Sequence, residues 1–377
     1  MSASPSVSLG QWIAPLIDPA TFDFWASRLH PAWSWARPLA QVVERRVEAQ
    51  DAVTLVLQPN RHCFAGRQAG RPSFQPGQHI NLSAEVNGRR TTRSYSLTGT
   101  PRADGLISIT VKRVEGGHLS THLCRHVREG DVLELGDVFG DMVLPAQPQG
   151  AWLFLAAGSG ITPLMSMTRA LAERQMPVDL TLIYWARTRA EVCFAQELQD
   201  LARKFPRLRL QVVLTREHEL LADEARGRLS AELINELVGH EALPRQQVMA
   251  CGPGGFVERA RAVLGPVVSA FQAEAFSPSA PQADLHEAAA SAATVQVHLL
   301  RSGRQLDLPS NISLLQALES AGMRPASGCR MGICHTCVCT KQSGTTQDVN
   351  TGELGTEPGT ALRLCVSRAC TDLTLDL

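Results

Sequence analysis

A chain of 377 residues exceeds what one ordinary hydrophobic core fills, so two or three domains are expected. Its 36 Lys and Arg balance 36 Asp and Glu, which leaves no whole-molecule electrostatic case for nucleic acid or an acidic partner. No apolar run is long enough to span a bilayer, the opening MSASPSVSLG lacks a basic segment followed by an apolar one, and the ten cysteines gather towards one end of a large chain. These features point to a cytoplasmic protein with reduced thiols.

Residues 1–38 form an N-terminal extension with four of the six tryptophans, Trp12, Trp25, Trp33 and Trp35, and a short helix is expected over 19–29. Packing on the following domain is the simpler reading of this stretch. A peripheral membrane or partner contact is the other, because tryptophan suits half-buried interfaces.

Over 39–148 the pattern becomes short alternating runs. Strands are expected at 41–49, 52–58, 79–82, 106–111 and 132–135, with turns at Pro76-Gly77, Asn87-Gly88 and Asp104-Gly105, which together argue a small antiparallel barrel. Inside it lie Arg93-Ser94-Tyr95-Ser96, Val111-Lys112-Arg113 and Gly116-Gly117-His118-Leu119-Ser120. An arginine, an aromatic ring and a glycine-rich helix start together offer a phosphate clamp, a stacking face and an anion seat. Each of them singly is equally what a barrel needs for structure.

Over 149–276 the period changes to strand, glycine turn, helix. Strands are expected at 152–156, 180–185, 208–214 and 247–250, and helices after the glycine turn up to 174 and at 194–204, 230–237 and 255–264, the alternation of a parallel sheet covered on both faces. The turn Gly158-Ser159-Gly160-Ile161-Thr162-Pro163 follows the first strand, where such a sheet seats a pyrophosphate, and Cys251-Gly252-Pro253 follows a later strand at the same edge. After Trp185 come Ala186-Arg187-Thr188-Arg189, with no acid until Glu191. An arginine there suits a 2′-phosphate, so NADPH is favoured over NADH.

Residues 277–293, SPSAPQADLHEAAASAA, read as a linker, and 294–377 as a β-grasp-sized unit. In that unit strands are expected at 294–300 and 305–308, a helix from 310 or 311 to 321, and closing strands around Val366 and Leu373. Between them Cys329, Cys334 and Cys337 stand in the Cys-x4-Cys-x2-Cys spacing by which plant-type ferredoxins hold a [2Fe-2S] cluster, with Gly328 and Gly332 to let backbone approach the sulfurs. A zinc site is the alternative, but the four-residue gap is off its pattern, and His335 is expected at the surface. For the fourth thiolate Cys339 would fall too far along the strand leaving the loop. Cys365 and Cys370, five residues apart, would face opposite ways. The apolar stretch 362–366 suits a strand entering a shielded site while 369–372 reads as a turn, so Cys365 is assigned.

Gln78, Arg93 to Ser96, Gly117 to Ser120, Gly158 to Pro163, Cys251 to Pro253 and the cysteine loop, in that order, resemble the ferredoxin-NADP reductase superfamily with a fused C-terminal plant-type ferredoxin. With the tryptophan-bearing extension the likeness is greatest to bacterial reductases serving acyl-CoA or fatty-acid desaturases. The resemblance covers about residues 40–377. It implies a multidomain fold: an antiparallel β-barrel flavin domain, an α/β parallel-sheet nucleotide domain and a β-grasp [2Fe-2S] domain. It implies FAD rather than FMN, with Arg93 on the flavin phosphate, Tyr95 on the flavin ring, Ser96 near N5, and Gly117, His118, Leu119 and Ser120 on the pyrophosphate, Lys112 beside them. Gly158, Gly160, Pro163, Arg187, Gly252 and Pro253 would hold NADPH or NADH, Thr162 and Cys251 would flank the nicotinamide, and Phe276 would cover the flavin until nicotinamide displaces it. Electrons would pass from NAD(P)H through flavin and cluster to a membrane diiron desaturase, or to a Rieske-type ring-hydroxylating oxygenase. A redox sensor carrying the same groups is the reading from a different class.

Overall fold

The computed structural model describes residues 18–63, 74–276, 293–328, 330–332, 334–349 and 352–377. Trp12, residues 277–292 of the expected linker 277–293 and Cys329 lie outside the described residues. Asp18 caps helix α1 (Pro19–Leu29), its carboxylate accepting from Thr21 N at 2.9 Å while proline takes the first helical position. The turn after α1 folds back because the Asp23 carboxylate accepts from Ser34 Oγ at 2.9 Å and from the Trp35 amide. Ala26, Ala32 and Ser34 are thereby buried, whereas Phe24, Trp25, Leu29 and Trp33 remain exposed. Among the described residues, this part of the extension packs with one face and exposes apolar side chains on the other.

The barrel is built from β1 (Leu39–Ala49), β2 (Ala52–Pro59), β3 (His79–Val86), β4 (Arg89–Ser96), β5 (Ile107–Lys112) and β6 (Val132–Phe139), with helix α2 (His118–Arg125) before the last strand. The antiparallel order is β4-β3-β6-β1-β2-β5, and a bridge between Leu97 and Ile109 brings the two edges together. Leu55, Leu57, Ile80, Leu82, Leu97, Ile107 and Ile109 fill the inside with essentially no solvent contact. Burying each contributes about 1.5–3 kcal/mol. The segment 93–96, which carries no strand signal of its own, is the end of β4. It is drawn into register with β3 by the Asn87-Gly88 turn, whose two residues both have positive φ, 53° and 70°.

The second sheet takes β7 (Ala151–Ala157), β8 (Asp179–Ala186), β9 (Leu208–Leu214), β10 (Glu224–Arg226), β11 (Gln246–Gly252) and β12 (Ala270–Ala275). They alternate with α3 (Ile161–Glu173), α4 (Ala195–Lys204), α5 (Ala231–Val238) and α6 (Gly254–Leu264). All neighbours are parallel in the order β10-β9-β8-β7-β11-β12. Along β7, Trp152, Phe154 and Ala156 enter one core and Leu153, Leu155 and Ala157 the other, which is why this strand reads as unbroken apolar sequence. Strand order reverses between β7 and β11, and the crevice outside that point is where such sheets take ligands.

Helix α3 is also the seam with the barrel. Thr162 Oγ1 lies 3.1 Å from Ser96 Oγ, Ser166 Oγ donates to Gly99 O at 2.7 Å, Arg169 Nη1 donates to Thr98 O at 2.6 Å, and Thr100 Oγ1 donates to Glu173 at 2.5 Å. Positions 162, 166, 169 and 173 share one helical face, so a single helix fixes the end of β4 against the nucleotide turn.

The C-terminal unit comprises β13 (Thr294–Leu299), β14 (Arg304–Pro309), α7 (Leu314–Ser320), β15 (Val338–Ser343), β16 (Thr346–Asp348), β17 (Leu354–Gly355), β18 (Thr360–Arg363), β19 (Ser367–Ala369) and β20 (Leu373–Asp376). Its main sheet runs β14-β13-β20-β15-β18 with β13 and β20 parallel, and Leu314, Leu315, Ala317 and Leu318 of α7 enter the core beneath it. Two expectations need correcting. The helix begins at 314 rather than 310 or 311, because Ser313 supplies the cap, its hydroxyl accepting from Gln316 N at 3.4 Å. Strand β18 ends at Arg363, so Cys365 and Val366 occupy a turn rather than a strand. Among the described residues no helix is long and apolar enough to cross a membrane.

Candidate redox site

Around the end of β4 the barrel presents its polar corner. Arg93 is exposed and Tyr95 half-buried on the strand, while α2, packed on β3, β4 and β5, begins at Gly117 with no side-chain cap. Gly116 has φ 70°, and a Cβ on Gly117 would fall 2.5 Å from Ser120 Oγ, so the approach to the helix must be glycine. The Ser120 hydroxyl accepts from Val114 N at 3.2 Å, holding the loop and leaving the amides of His118 and Leu119 at an uncapped helix start. That is the chemistry of an anion seat. Burial raises the Tyr95 phenol well above its ordinary value, so it stays neutral, a ring with a polar tip. Crowding by the surrounding protein, and next the Arg330 guanidinium of the cluster loop, lower Arg93 from its usual range.

Two glycine turns meet at the nucleotide edge. Gly158, at φ 55°, opens the turn into α3 with open space on its Cβ side, and a Cβ on Gly160 would lie 1.9 Å from Cys251 O. Gly252 is equally tight, 2.9 Å from Ala157 Cβ. The neighbouring pair Ala156 and Cys251 of β7 and β11 brings these turns together, and Pro253 leads into α6 as Pro163 lies in the first turn of α3. Fully buried Tyr184 supports the first turn from below, its hydroxyl donating to Gly158 O at 3.1 Å and accepting from Cys193 N at 3.2 Å.

Between corner and edge lies a buried polar group. Ser96 and Thr162 meet as described, and Thr162 Oγ1 also donates to Ser159 O at 2.9 Å. Cys251 has no solvent contact, and burial, with the Glu274 carboxylate adding, pushes its thiol far above the usual range, so it is a neutral S–H. Glu274, paired with Cys251 in register, reaches His79 Nε2 at 2.7 Å, and His79 is paired in register with Ser96. Phe276 lies against the same group, its amide donating to Gly252 O at 2.8 Å and its ring edge-on to His79 with centroids 5.9 Å apart. Ser96, Thr162, Cys251 and Phe276 are therefore neighbours through His79 and Glu274. Neither of those two was singled out from sequence, where His79 is one alternating residue of a strand.

Lys112 and Arg187 stand elsewhere. Lys112 Nζ lies 2.6 Å from Glu191 Oε2 and Arg187 Nε 2.9 Å from Glu191 Oε1, so one carboxylate ties barrel to nucleotide sheet. Burial alone would raise the Glu191 carboxyl, but Arg187 and Lys112 outweigh it and hold it below the usual range. In sequence Glu191 reads only as an acid too late for the ribose.

In the cysteine loop Arg330 and His335 both adopt left-handed backbone, φ 61° and 55°, so the chain curls back on itself. Cys337 is buried, Cys334 is partly so, and His335 is exposed. The turn carrying Cys365 is fastened to this loop at three points. Leu364 N donates to Cys337 O at 3.2 Å, Arg363 Nη1 donates to Gly332 O at 3.0 Å, and a Cβ on Gly332 would be 2.9 Å from Val366 Cγ2. Cys339 instead sits on β15 opposite Leu362, and Cys370 is exposed beyond β19 with its amide donating to Thr345 O. Thiolates from a curled loop and a clipped turn suit an iron–sulfur centre. The loop touches the barrel too, Asn81 Nδ2 on β3 donating to Thr336 Oγ1 at 3.2 Å.

Comparison with known proteins covers all three units. Residues 63–142 match the oxidoreductase FAD-binding domain, 154–262 the oxidoreductase NAD-binding domain and 297–370 the 2Fe-2S iron-sulfur cluster binding domain. An NADPH oxidoreductase of Mycobacterium tuberculosis is 35% identical over 369 residues, covering 97% of this chain and 90% of its own. A glycine betaine monooxygenase reductase subunit of Pseudomonas aeruginosa is 29% identical, covering 90% and 93%. Among solved structures, phthalate dioxygenase reductase, described as a modular structure for electron transfer from pyridine nucleotides to [2Fe-2S], superposes with a TM-score of 0.58 at 26% identity, covering 90% of this chain and 97% of that one.

Proposed function

This chain belongs to the ferredoxin-NADP reductase superfamily, in the branch with a C-terminal [2Fe-2S] domain, and is an NAD(P)H-dependent oxidoreductase that uses FAD and a [2Fe-2S] cluster; from that premise we propose that it feeds electrons to an oxygenase-type acceptor. One observation carries the reading. The strands β3 and β4 touch the nucleotide edge at Ser96–Thr162 and the cluster loop at Asn81–Thr336, so one barrel edge faces both a hydride source and a one-electron sink. When bound, FAD accepts a hydride and returns electrons one at a time to a cluster that carries them singly.

The residues divide the work. Arg93 and the α2 start with Gly117, His118, Leu119 and Ser120 hold the flavin's phosphates, and Tyr95 lies along its ring. Gly158, Gly160, Thr162, Pro163, Gly252 and Pro253 seat the coenzyme, with neutral Cys251 offering its nicotinamide an uncharged wall. Ser96 and Thr162 present hydroxyls at the reacting edge, and Phe276 shields it from water. Cys329, Cys334, Cys337 and Cys365 are the proposed cluster ligands. Thiolates of this kind need a reducing compartment, which supports a cytoplasmic site.

The acceptor is proposed as an oxygenase component because two relatives are named as reductases of a monooxygenase and a dioxygenase. One observation favours a membrane-bound desaturase as second reading: Trp25 and Leu29 of α1 are 60% and 80% exposed beside Phe24 and Trp33, an apolar face suited to an interface. Coupled assays with each acceptor decide between them. Changing Trp25 and Leu29 together to serine is expected to leave NAD(P)H-driven cytochrome c reduction within about twofold, since surface changes cost little. Coupling to a membrane-bound acceptor would weaken. Unchanged coupling removes the docking role.

Coenzyme preference is a second test. Arg187 is the proposed 2′-phosphate partner, and Glu191 now holds its guanidinium at the sheet edge. Arg187→Ala should raise KM for NADPH by roughly tenfold while leaving NADH nearly unchanged, the value of one charge-assisted contact. An unaltered ratio of kcat/KM for the two coenzymes removes Arg187 from this role.

A further inference from the structure

Asn81 lies on β3 directly across from Ser94 of β4, the residue between Arg93 and Tyr95. Ser94 Oγ donates to Asn81 Oδ1 at 2.6 Å, which turns the amide so that Nδ2 points outwards, and there it donates to Thr336 Oγ1 of the cluster loop at 3.2 Å. The fit around the pair is close. A Cβ built on Gly328 would stand 2.9 Å from Cys334 Sγ, 3.0 Å from Asn81 Oδ1 and 3.1 Å from Thr336 Oγ1, so a thiol, an amide and a hydroxyl from two domains converge on one glycine. Behind Asn81, Gly136 of β6 leaves no more room, since its Cβ would be 3.0 Å from Asn81 Cβ. Arg330 brings a second guanidinium towards Arg93, yet Glu319 of α7 neutralises it through both carboxylate oxygens at 2.7 and 2.9 Å. The two domains thus meet, with the Arg330 charge partly offset by Glu319, at a contact one residue from the expected flavin face.

We infer that Asn81 is a positioning residue that docks the iron–sulfur domain on the flavin strand through Thr336, which would put Cys334, a proposed cluster ligand, on the side nearest that strand. The inference rests on the reductase reading above and adds the place and the means of transfer within the chain. Oxidation of one NAD(P)H to NAD(P)+ yields two electrons and one proton. The electrons cross this contact singly, an external acceptor takes each before the next arrives, and the proton leaves to solvent. Asn81 and Thr336 exchange no electrons or protons themselves. They set the distance.

The test uses the holoenzyme with FAD and cluster in place. Asn81→Leu, branched at the same atom but unable to hydrogen-bond, and Thr336→Val should each slow NAD(P)H-driven bleaching of the cluster by about tenfold, while flavin reduction stays within about twofold. Small-angle scattering should show a wider particle in both variants, a change that activity alone would not reveal. The double variant should be no slower than either single one, because both remove the same contact, and Thr336→Ser should behave as wild type. Wild-type bleaching rates with unchanged scattering in Asn81→Leu, or additive losses in the double variant, would overturn the dock. Should Asn81→Leu not fold, the Val and Ser variants at 336 decide alone: equal bleaching rates in the two refute the proposal. Failure of NAD(P)H to bleach the cluster in the wild-type holoenzyme would instead overturn the reductase reading, and the dock with it.

Discussion

Cys365→Ala is expected to erase the visible spectrum of the iron–sulfur centre while NAD(P)H still bleaches the flavin at the wild-type rate. The expectation follows from the clip between turn and loop. Leu364 N on Cys337 O and Arg363 on Gly332 O place residue 365 next to the curled segment that carries Cys334 and Cys337. Cys339 lies farther along β15, and Cys370 is exposed past the end of β19. Removing one of four thiolates leaves an iron short of a ligand, which a neighbouring side chain restores only where the backbone lets it arrive. Cys339→Ala and Cys370→Ala should therefore keep both spectra. The measurement is iron content with absorbance spectra of the three purified variants, and retention of the cluster in Cys365→Ala with its loss in Cys370→Ala would reverse the assignment. Flavin reduction is the control, because the flavin corner and nucleotide edge draw no residue from that turn.

The parts of this architecture written in local pattern were legible beforehand. The unbroken apolar run of β7 and its glycine turn announce a parallel sheet because both faces of that strand are covered, and Cys-x4-Cys-x2-Cys announces its chemistry because three ligands must come from one curl of chain. Strand β4 was less visible, since Arg89 to Ser96 is polar and becomes a strand through pairing with β3 rather than through its own composition. The turn at Cys365 looked like strand for the opposite reason: its apolar residues are buried by α7 and the loop, which local alternation cannot distinguish from a sheet core. Partners distant in sequence were not legible at all. His79 meets Glu274, Lys112 meets Glu191 and Asn81 meets Thr336 only because the domains dock, and nothing in the spacing of a single residue marks a partner in another domain.

Gly160→Ala should abolish the coenzyme half of the reaction while leaving both redox centres bound. The added methyl would lie 1.9 Å from Cys251 O, 2.3 Å from Cys251 C and 2.7 Å from Gly252 N. All three are backbone atoms of β11, so no side-chain rotation relieves the clash, and β7 and β11 are already fixed by parallel pairing from Ala151 with Gln246 to Ala156 with Cys251. The turn after β7 must move instead, which carries Thr162 away from Ser96 and lifts α3 from its seam with the barrel. A displacement of about 1 Å at a reacting pair costs roughly a hundredfold in rate, and hydride transfer from NAD(P)H is expected to fall by at least that much. The barrel and the cysteine unit make no use of Gly160, so dithionite should still bleach flavin and cluster to the wild-type extent. Anaerobic stopped-flow with NADPH and NADH, set beside dithionite titration of the same sample, separates the two halves. Flavin reduction within a few-fold of wild type would show that the turns accommodate the methyl and that this edge does not seat the nicotinamide.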